Sequence, residues 1–232
     1  MLWQEFGVAG ELESQRVLAQ RLARPRGRGT EGVALRYEFL AITCAEKLVA
    51  VRDHTAAADG ELCVVHLSHL WVAEEHRRTG LAGWLRALPL QSARACLGDG
   101  CFPTAVPIIL VAEMEYPAPT FPQTKVRLLA YERAGFLKLD PLAVQYFQPD
   151  FHLPEDIDAA GGSTPLPFQL VIRQVGRESM QSMSASKAEQ IVQRLYCIYG
   201  EDLRPAEILD AQRARGLARV LDRVVHLLPP TV

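Results

Sequence analysis

The 232-residue chain carries 25 Lys and Arg against 27 Asp and Glu, a formal net charge of −2, and 49% of its residues are apolar. That composition supplies a sizeable core, for one large domain or one domain with an extension. It excludes a general nucleic-acid binder, which needs a basic face, and no stretch approaches the roughly 20 apolar residues of a membrane span. The five cysteines (Cys44, Cys63, Cys96, Cys101, Cys197) are odd in number and scattered, and residues 1–10 lack a basic start followed by a long apolar run. A cytoplasmic protein is the expectation.

In chain order, residues 11–23 have helical spacing, with Leu12, Leu18 and Leu22 available to one face and Pro25 and Gly27 as the stop. Arg21, Arg24, Arg26 and Arg28 form a basic run that reads as a solvated loop. Residues 34–43 and 47–55 predict strands joined by Cys44-Ala45-Glu46, a hairpin, and Asp59-Gly60 turns the chain into a third strand over 61–72. Residues 81–95 predict a helix that Pro89 must kink or divide. A Val, Ile and Leu run makes 106–114 a strand; 124–134 is a helix with Gly135 as its C-terminal cap, and 137–147 passes into another strand.

Residues 148–167 combine Pro149, Pro154, Pro165 and Pro167 with Gly161-Gly162 and Asp150, Glu155, Asp156 and Asp158, a long acidic loop before a closing strand at 168–175. Beyond Gly176 the pattern turns helical. Ser186-x-x-Glu189 resembles a capping box ahead of Ile191, Leu195 and Ile198, with Gly200 at the end. Pro205 opens a second helix carrying Ile208, Leu209, Leu217, Leu221, Val224 and Leu228, weakened at Gly216 and ended by Pro229-Pro230. The expected organisation is an α/β domain over 1–176 with a C-terminal helical extension over 177–232. The extension packs on the same domain, because two helices alone bury little.

The most informative stretch is Leu70-Trp71-Val72 followed by Ala73-Glu74-Glu75-His76-Arg77-Arg78-Thr79-Gly80-Leu81-Ala82-Gly83-Trp84. A strand that delivers the chain to a helix start lined by small residues makes an anion cradle, since the first helical amides have no intrahelical acceptor and the helix dipole adds positive charge. Gly80, Ala82 and Gly83 remove side chains that would hold a pyrophosphate away from those amides. Arg77-x-x-Gly80-x-Ala82, preceded by Leu70-x-Val72, resembles the acetyl-CoA-binding motif of the GNAT acetyltransferases. Tyr131-Glu132-Arg133-Ala134-Gly135-Phe136 resembles the later helix-to-strand motif of that family. The resemblance covers about residues 34–147. It implies a mixed, mostly antiparallel central sheet flanked by helices, with acetyl-CoA as cosubstrate, an unidentified amine as acceptor and no metal. Leu70, Trp71 and Val72 would offer backbone to the pantetheine arm, and Arg77, Arg78, Thr79, Gly80, Leu81, Ala82 and Gly83 would form the pyrophosphate turn. It places Tyr131 near the thioester sulfur as a general acid, against the alternative of a buried core tyrosine.

For the base, Glu113 and Glu115 lie two apart at the carboxyl end of a strand, where ligands of α/β sheets gather. The alternative is a solvated strand end. His66 and His69 are runners-up. Cys63, His66 and His69 do not make a metal site on a regular strand, because His66 points opposite to the other two unless a bulge intervenes. No Gly-x-Ser-x-Gly elbow is present, so direct attack by the amine is expected. Arg77 either contacts phosphate or braces the turn, Arg78 is equally a surface residue, and Trp84 is expected in the core rather than stacked on adenine. The rival from another class is a catalytically inactive CoA-binding or protein-interaction module of the same fold, and the extra helices leave room for a homodimer.

Overall fold

A computed structural model describes residues 12–27, 32–118, 122–215 and 224–232. The hairpin expected from the short Cys44-Ala45-Glu46 connection is present: β1 (Ala34–Cys44) and β2 (Lys47–Ala58) run antiparallel around Ala45 and Glu46, both left-handed at φ 46° and 64°. Two left-handed residues match the right-handed twist of the strands they join. Asp59 then turns the chain by accepting the amides of Glu61 and Leu62 at 2.8 Å each, and β3 (Cys63–Val72) returns antiparallel along β2.

The chain divides into two compact units at Leu110/Val111. In the first, the strand order is β1-β2-β3 followed by the start of β4 (Ile108–Met114), the strand in which the division falls. Helix α1 (Gln15–Ala23) begins after Ser14, whose hydroxyl accepts from the Val17 amide, and it lies against β1. The helical run expected after the glycine turn is divided by Pro89 into α2 (Leu81–Ala87) and α3 (Pro89–Asp99). Proline lacks the amide that a continuing helix would use and suits a first turn. Helix α3 packs across β1, β2 and β3 over a floor of small residues, with Ala56, Ala57, Ala58, Ala93 and Cys96 all fully buried.

In the second unit β4 is followed across the sheet by β7 (Leu166–Gln174), β5 (Leu137–Leu139), β9 (Val224–Leu228) and β8 (Ser182–Ser184). Strand β6 (Tyr146–Gln148) also pairs with β7, and every register described in this unit is antiparallel. Helix α4 (Pro122–Glu132) ends as the glycine predicts: Gly135 sits at φ 78°, its amide bonds the Glu132 carbonyl, and the Phe136 amide bonds the Tyr131 carbonyl. This pair of bonds is the Schellman arrangement. Each unit is thus a set of antiparallel strands flanked by helices, a mixed α/β fold. Among the described residues no helix is long and apolar enough to cross a membrane.

Several expectations are corrected. Leu22 is 59% exposed and the buried positions of α1 are Val17 and Arg21, while Leu12 packs with Val51, Leu18 and Trp71 ahead of the helix. Arg21 is not solvated: it is buried in an ion pair with Glu13 at 2.6 Å, over the Tyr37 ring. Glu11 and Arg28 fall outside the described residues. The acidic segment 148–167 is a tied structure with a short helix, α5 (Pro154–Ala159). Asp150 there accepts the amides of His152 and Thr164, and Asp158 pairs with Arg204 at 3.0 Å. Strand β7 does not close the sheet, because β8 and β9 follow it. Helix α6 (Ala185–Gly200) is capped by Ser184 rather than Ser186, and Glu189 pairs with Arg215 instead of the helix start. The next helix, α7 (Pro205–Ala214), stops short, so residues 224–228 are strand, paired to β5 and β8, where the apolar spacing predicts helix. Gly216, Leu217 and Leu221 lie outside the described residues. Helix α6 packs on α7, β8 and β9.

Candidate functional site

The first unit carries the glycine turn. After β3 a short 3-10 turn (Glu74–His76) leads to Arg77, extended at φ −68° and ψ 151°. Arg78 takes the left-handed φ of 63°, an uncommon conformation for a residue with a side chain, and Gly80 follows at 92° as the N-cap of α2. The turn is braced from within: Arg77 Nε donates to the Val72 carbonyl at 3.2 Å and Thr79 Oγ1 to the His76 carbonyl at 2.6 Å. The Gly83 amide bonds the Gly80 carbonyl at 2.9 Å, whereas Leu81 and Ala82, in the first turn, have no intrahelical acceptor. Residues 77–80 are exposed, and nothing lies within 4 Å of where a Gly80 Cβ would stand. Glycine is required there by φ, not by space.

Upstream, Leu70, Trp71 and Val72 are half-buried. The Trp71 ring packs against Leu12 and Val51, so its side chain belongs to the core edge. A cavity of about 520 Å3 opens beside it, lined among others by Leu48, Trp71, Glu74 and Glu75. Lys47 and His76 line it as well, so its wall carries charges of both signs. Trp84, a core residue by its sequence setting, is instead 66% exposed; Leu85 is the buried residue of α2.

The histidines of β3 are both hydrogen-bonded. The β2–β3 register shifts at Asp53, a bulge that brings both the His69 amide, at 2.8 Å, and the His69 Nδ1, at 3.1 Å, onto the buried Asp53 carboxylate. Burial would raise that carboxyl, but His69 and Arg21 outweigh it and hold it well below the usual carboxylate range. His66 Nδ1 contacts Ser68 Oγ at 3.2 Å. Sequence reasoning misses Asp53, since nothing in a 2-residue alternation announces a bulge.

In the second unit, the Glu113 carboxylate accepts from the Tyr146 hydroxyl, from Gln148 Nε2, and from the Tyr199 hydroxyl at 2.9 Å to both oxygens. A carboxylate offers about four lone-pair sites, so these donors occupy it. Burial, with Glu113 beside it, raises the Tyr146 hydroxyl far above its ordinary range. Tyr146 stacks on Tyr196 at 5.5 Å, and Phe151 lies 5.2 Å from Tyr199. The three donors come from β6 and α6, elements whose approach to β4 no local pattern reveals. Glu115, just beyond β4, has separate partners: Arg127 at 2.6 Å, with both side chains partly exposed, while its carbonyl accepts from Gln169. Tyr131 is buried on α4, its ring edge-on to Phe136 at 4.9 Å.

No protein-family model and no curated protein matches the chain. Among solved structures it is similar to a protein assigned to the GNAT acetyltransferases from Bacteroides thetaiotaomicron, at 18% identity and TM-score 0.46, covering 85% of this chain and 89% of that one. An aminoglycoside 6'-N-acetyltransferase complexed with coenzyme A is similar at 11% identity and TM-score 0.40, covering 75% and 86%. The Escherichia coli ribosomal-protein-S18-alanine N-acetyltransferase is similar at 15% identity and TM-score 0.35, covering 73% and 85%. What the chain is similar to, in short, is a set of acetyltransferase structures, GNAT proteins among them.

Proposed function

We propose that the chain is an acyl-CoA-dependent N-acyltransferase of the GNAT type, using acetyl-CoA. The observation that carries this reading is the turn itself: Arg77-x-x-Gly80-x-Ala82 runs from the turn after β3 into the first turn of α2, with Gly80 left-handed as the helix N-cap. In this reading Gly80, Ala82 and Gly83 leave the amides of the turn open to a pyrophosphate, Arg77 braces the turn, and Leu70 and Val72 offer backbone to the pantetheine arm. The acceptor nitrogen attacks the thioester carbonyl carbon, the carbon–sulfur bond breaks, and an amide and a free thiol result. A cationic acceptor loses one proton to become the nucleophilic amine and a second as the amide forms; the departing sulfur takes one and the base passes the other to solvent. Tyr131 is the proposed donor to sulfur. Of the two carboxylates, Glu115 is the proposed base, because its ion pair is exposed and exchangeable, whereas Glu113 is held by the Tyr146, Gln148 and Tyr199 donors.

The melting temperature with acetyl-CoA, with free CoA and with neither tests the cosubstrate. A ligand of the folded state at a hundredfold excess over Kd stabilises by about 2.7 kcal/mol. Gly80→Asp is expected to abolish the rise and Gly80→Asn, with the same backbone demand and no charge, to keep part of it. No rise with wild type at millimolar ligand, or undiminished binding by a folded Gly80→Asp, defeats the reading.

A second reading, a CoA-binding module without turnover, is favoured by one feature: Tyr131 is buried and Glu113 is fully engaged. Turnover of acetyl-CoA against a broad amine panel separates the two.

A further inference from the structure

Trp84 lies on the wrong side of its helix for a core residue. Helix α2 buries Leu85, and Trp84 stands off that face, 66% exposed, with no ring contact among the described residues. Leaving an indole in water forgoes the burial that makes tryptophan useful to a fold. Its position along the chain is specific. The Trp84 amide donates to the Gly80 carbonyl at 3.2 Å, so the two residues are one helical turn apart on the same face. Helical Cα–Cβ bonds tilt toward the N-terminus, and a long side chain covers the turn before its own Cα. That tendency directs an exposed residue one turn after Gly80 toward the glycine turn, where the space over Gly80 is open. The same turn exposes the guanidinium of Arg78, whose backbone is held in the left-handed region. A cation, open backbone and an unpartnered aromatic face within seven residues are complementary to a phosphate and a heteroaromatic base in one ligand.

We infer that Trp84 is the stacking platform for the adenine of the acyl-CoA cosubstrate, and that it sets a preference for the nucleotide-bearing cosubstrate over the bare phosphopantetheine arm. The inference rests on the acyl-CoA reading above. Stacking forms no covalent bond, so it acts on binding alone.

The test is calorimetric titration of acetyl-CoA and of S-acetyl-4'-phosphopantetheine, which lacks the adenosine, into wild type, Trp84→Ala and Trp84→Phe. Because the side chain is exposed, both variants are expected to melt as wild type does without ligand. The expected result is a loss of about tenfold or more in acetyl-CoA affinity for Trp84→Ala, little loss for Trp84→Phe, and no change for the phosphopantetheine ester. Equal losses for both ligands, or none for either, overturn the assignment while leaving the cosubstrate reading in place. Wild type that binds neither ligand overturns both, and Trp84 is then a surface for some other partner.

Discussion

His54 shows how a single buried group couples this fold to pH. Its Nε2 lies 2.6 Å from Ser92 Oγ, and Ser92 donates its only hydroxyl hydrogen to Glu38. The imidazole must therefore donate through Nε2, which leaves Nδ1 as a bare lone pair, buried and without a partner among the described residues. Protonation would place an N–H there with no acceptor. Burial, with the nearby Arg52 charge, accordingly lowers the His54 pKa to about 4. The sign follows from linkage: above pH 6.5 neither state binds the proton, and as pH falls from about 6.5 to 4 the unfolded chain protonates first and stability is lost. The loss amounts to roughly 3 kcal/mol. Glu38 and Asp53, both lowered by their partners after burial is outweighed, remove stability in the same direction at still lower pH. Urea midpoints between pH 7 and 4.5 should fall in wild type and fall less in His54→Gln, which keeps a donor for Ser92 but does not titrate. A flat wild-type profile would refute the argument.

At the scale of elements, boundaries are set by residues with backbone demands. Pro89 divides α2 from α3 through a single residue, Leu88, that is itself helical at φ −55° and ψ −35°. The helical course thus continues while one amide is lost, and Leu85 and Cys96 both remain buried. Gly135 ends α4 at positive φ, and the nearest atom to where its Cβ would stand, Arg173 Nε, is 3.9 Å away. Substitution there meets backbone strain and no clash. Gly135→Ala should cost about 1 kcal/mol by urea unfolding and Gly135→Asn less, since asparagine tolerates the left-handed region. A loss well above about 2 kcal/mol would mean that the turn carries packing as well as geometry. The acidic segment 148–167 makes a related point: its carboxylates are held by the elements around them, and Asp150 stays below the usual range because backbone amides and His152 outweigh the effect of burial.

For the molecule as a whole, the two units reach their folds by different routes. The first is built from sequence neighbours, since β1, β2 and β3 form a meander with short turns. The second is closed by its far end: β9 pairs with β5 through Lys138↔Leu228 and with β8 through Met183↔Val225. Thr231 then bonds Glu132 through both its amide and its hydroxyl. Strand and helix predict opposite burial at the chain end. A strand buries Val225 and Leu227, whereas a helix continuing from Pro205 would bury Val224 and Leu228; the structure leaves Val224 48% exposed and Leu227 at 4%. Leu227→Asp should therefore cost about 4 kcal/mol or more by burying an unpaired charge, and Val224→Asp about 1 kcal/mol or less, both read by urea unfolding. The reverse order would reinstate the helix.

Features that depend on neighbours along the chain are written in the residues themselves. The β1–β2 hairpin, the break at Pro89, the cap at Gly135 and the glycine turn at Arg77–Ala82 all follow from φ demands, missing amides or residue alternation within a few positions, and each is legible there. Tertiary structure alone decided what depends on distant partners. The Tyr146, Gln148 and Tyr199 donors reach Glu113 from 33, 35 and 86 residues away, and no local pattern records that convergence. Apolar spacing at 224–228 fits a helix face as well as a strand, and only pairing with β5 and β8 chooses between them. Trp84 is the same lesson in reverse: an indole beside a buried leucine looks like core until the packing on the other side of the helix shows which of the two faces inward. Local geometry is encoded by short-range sterics, whereas burial and long-range hydrogen bonding are properties of surfaces that exist only after the chain has folded.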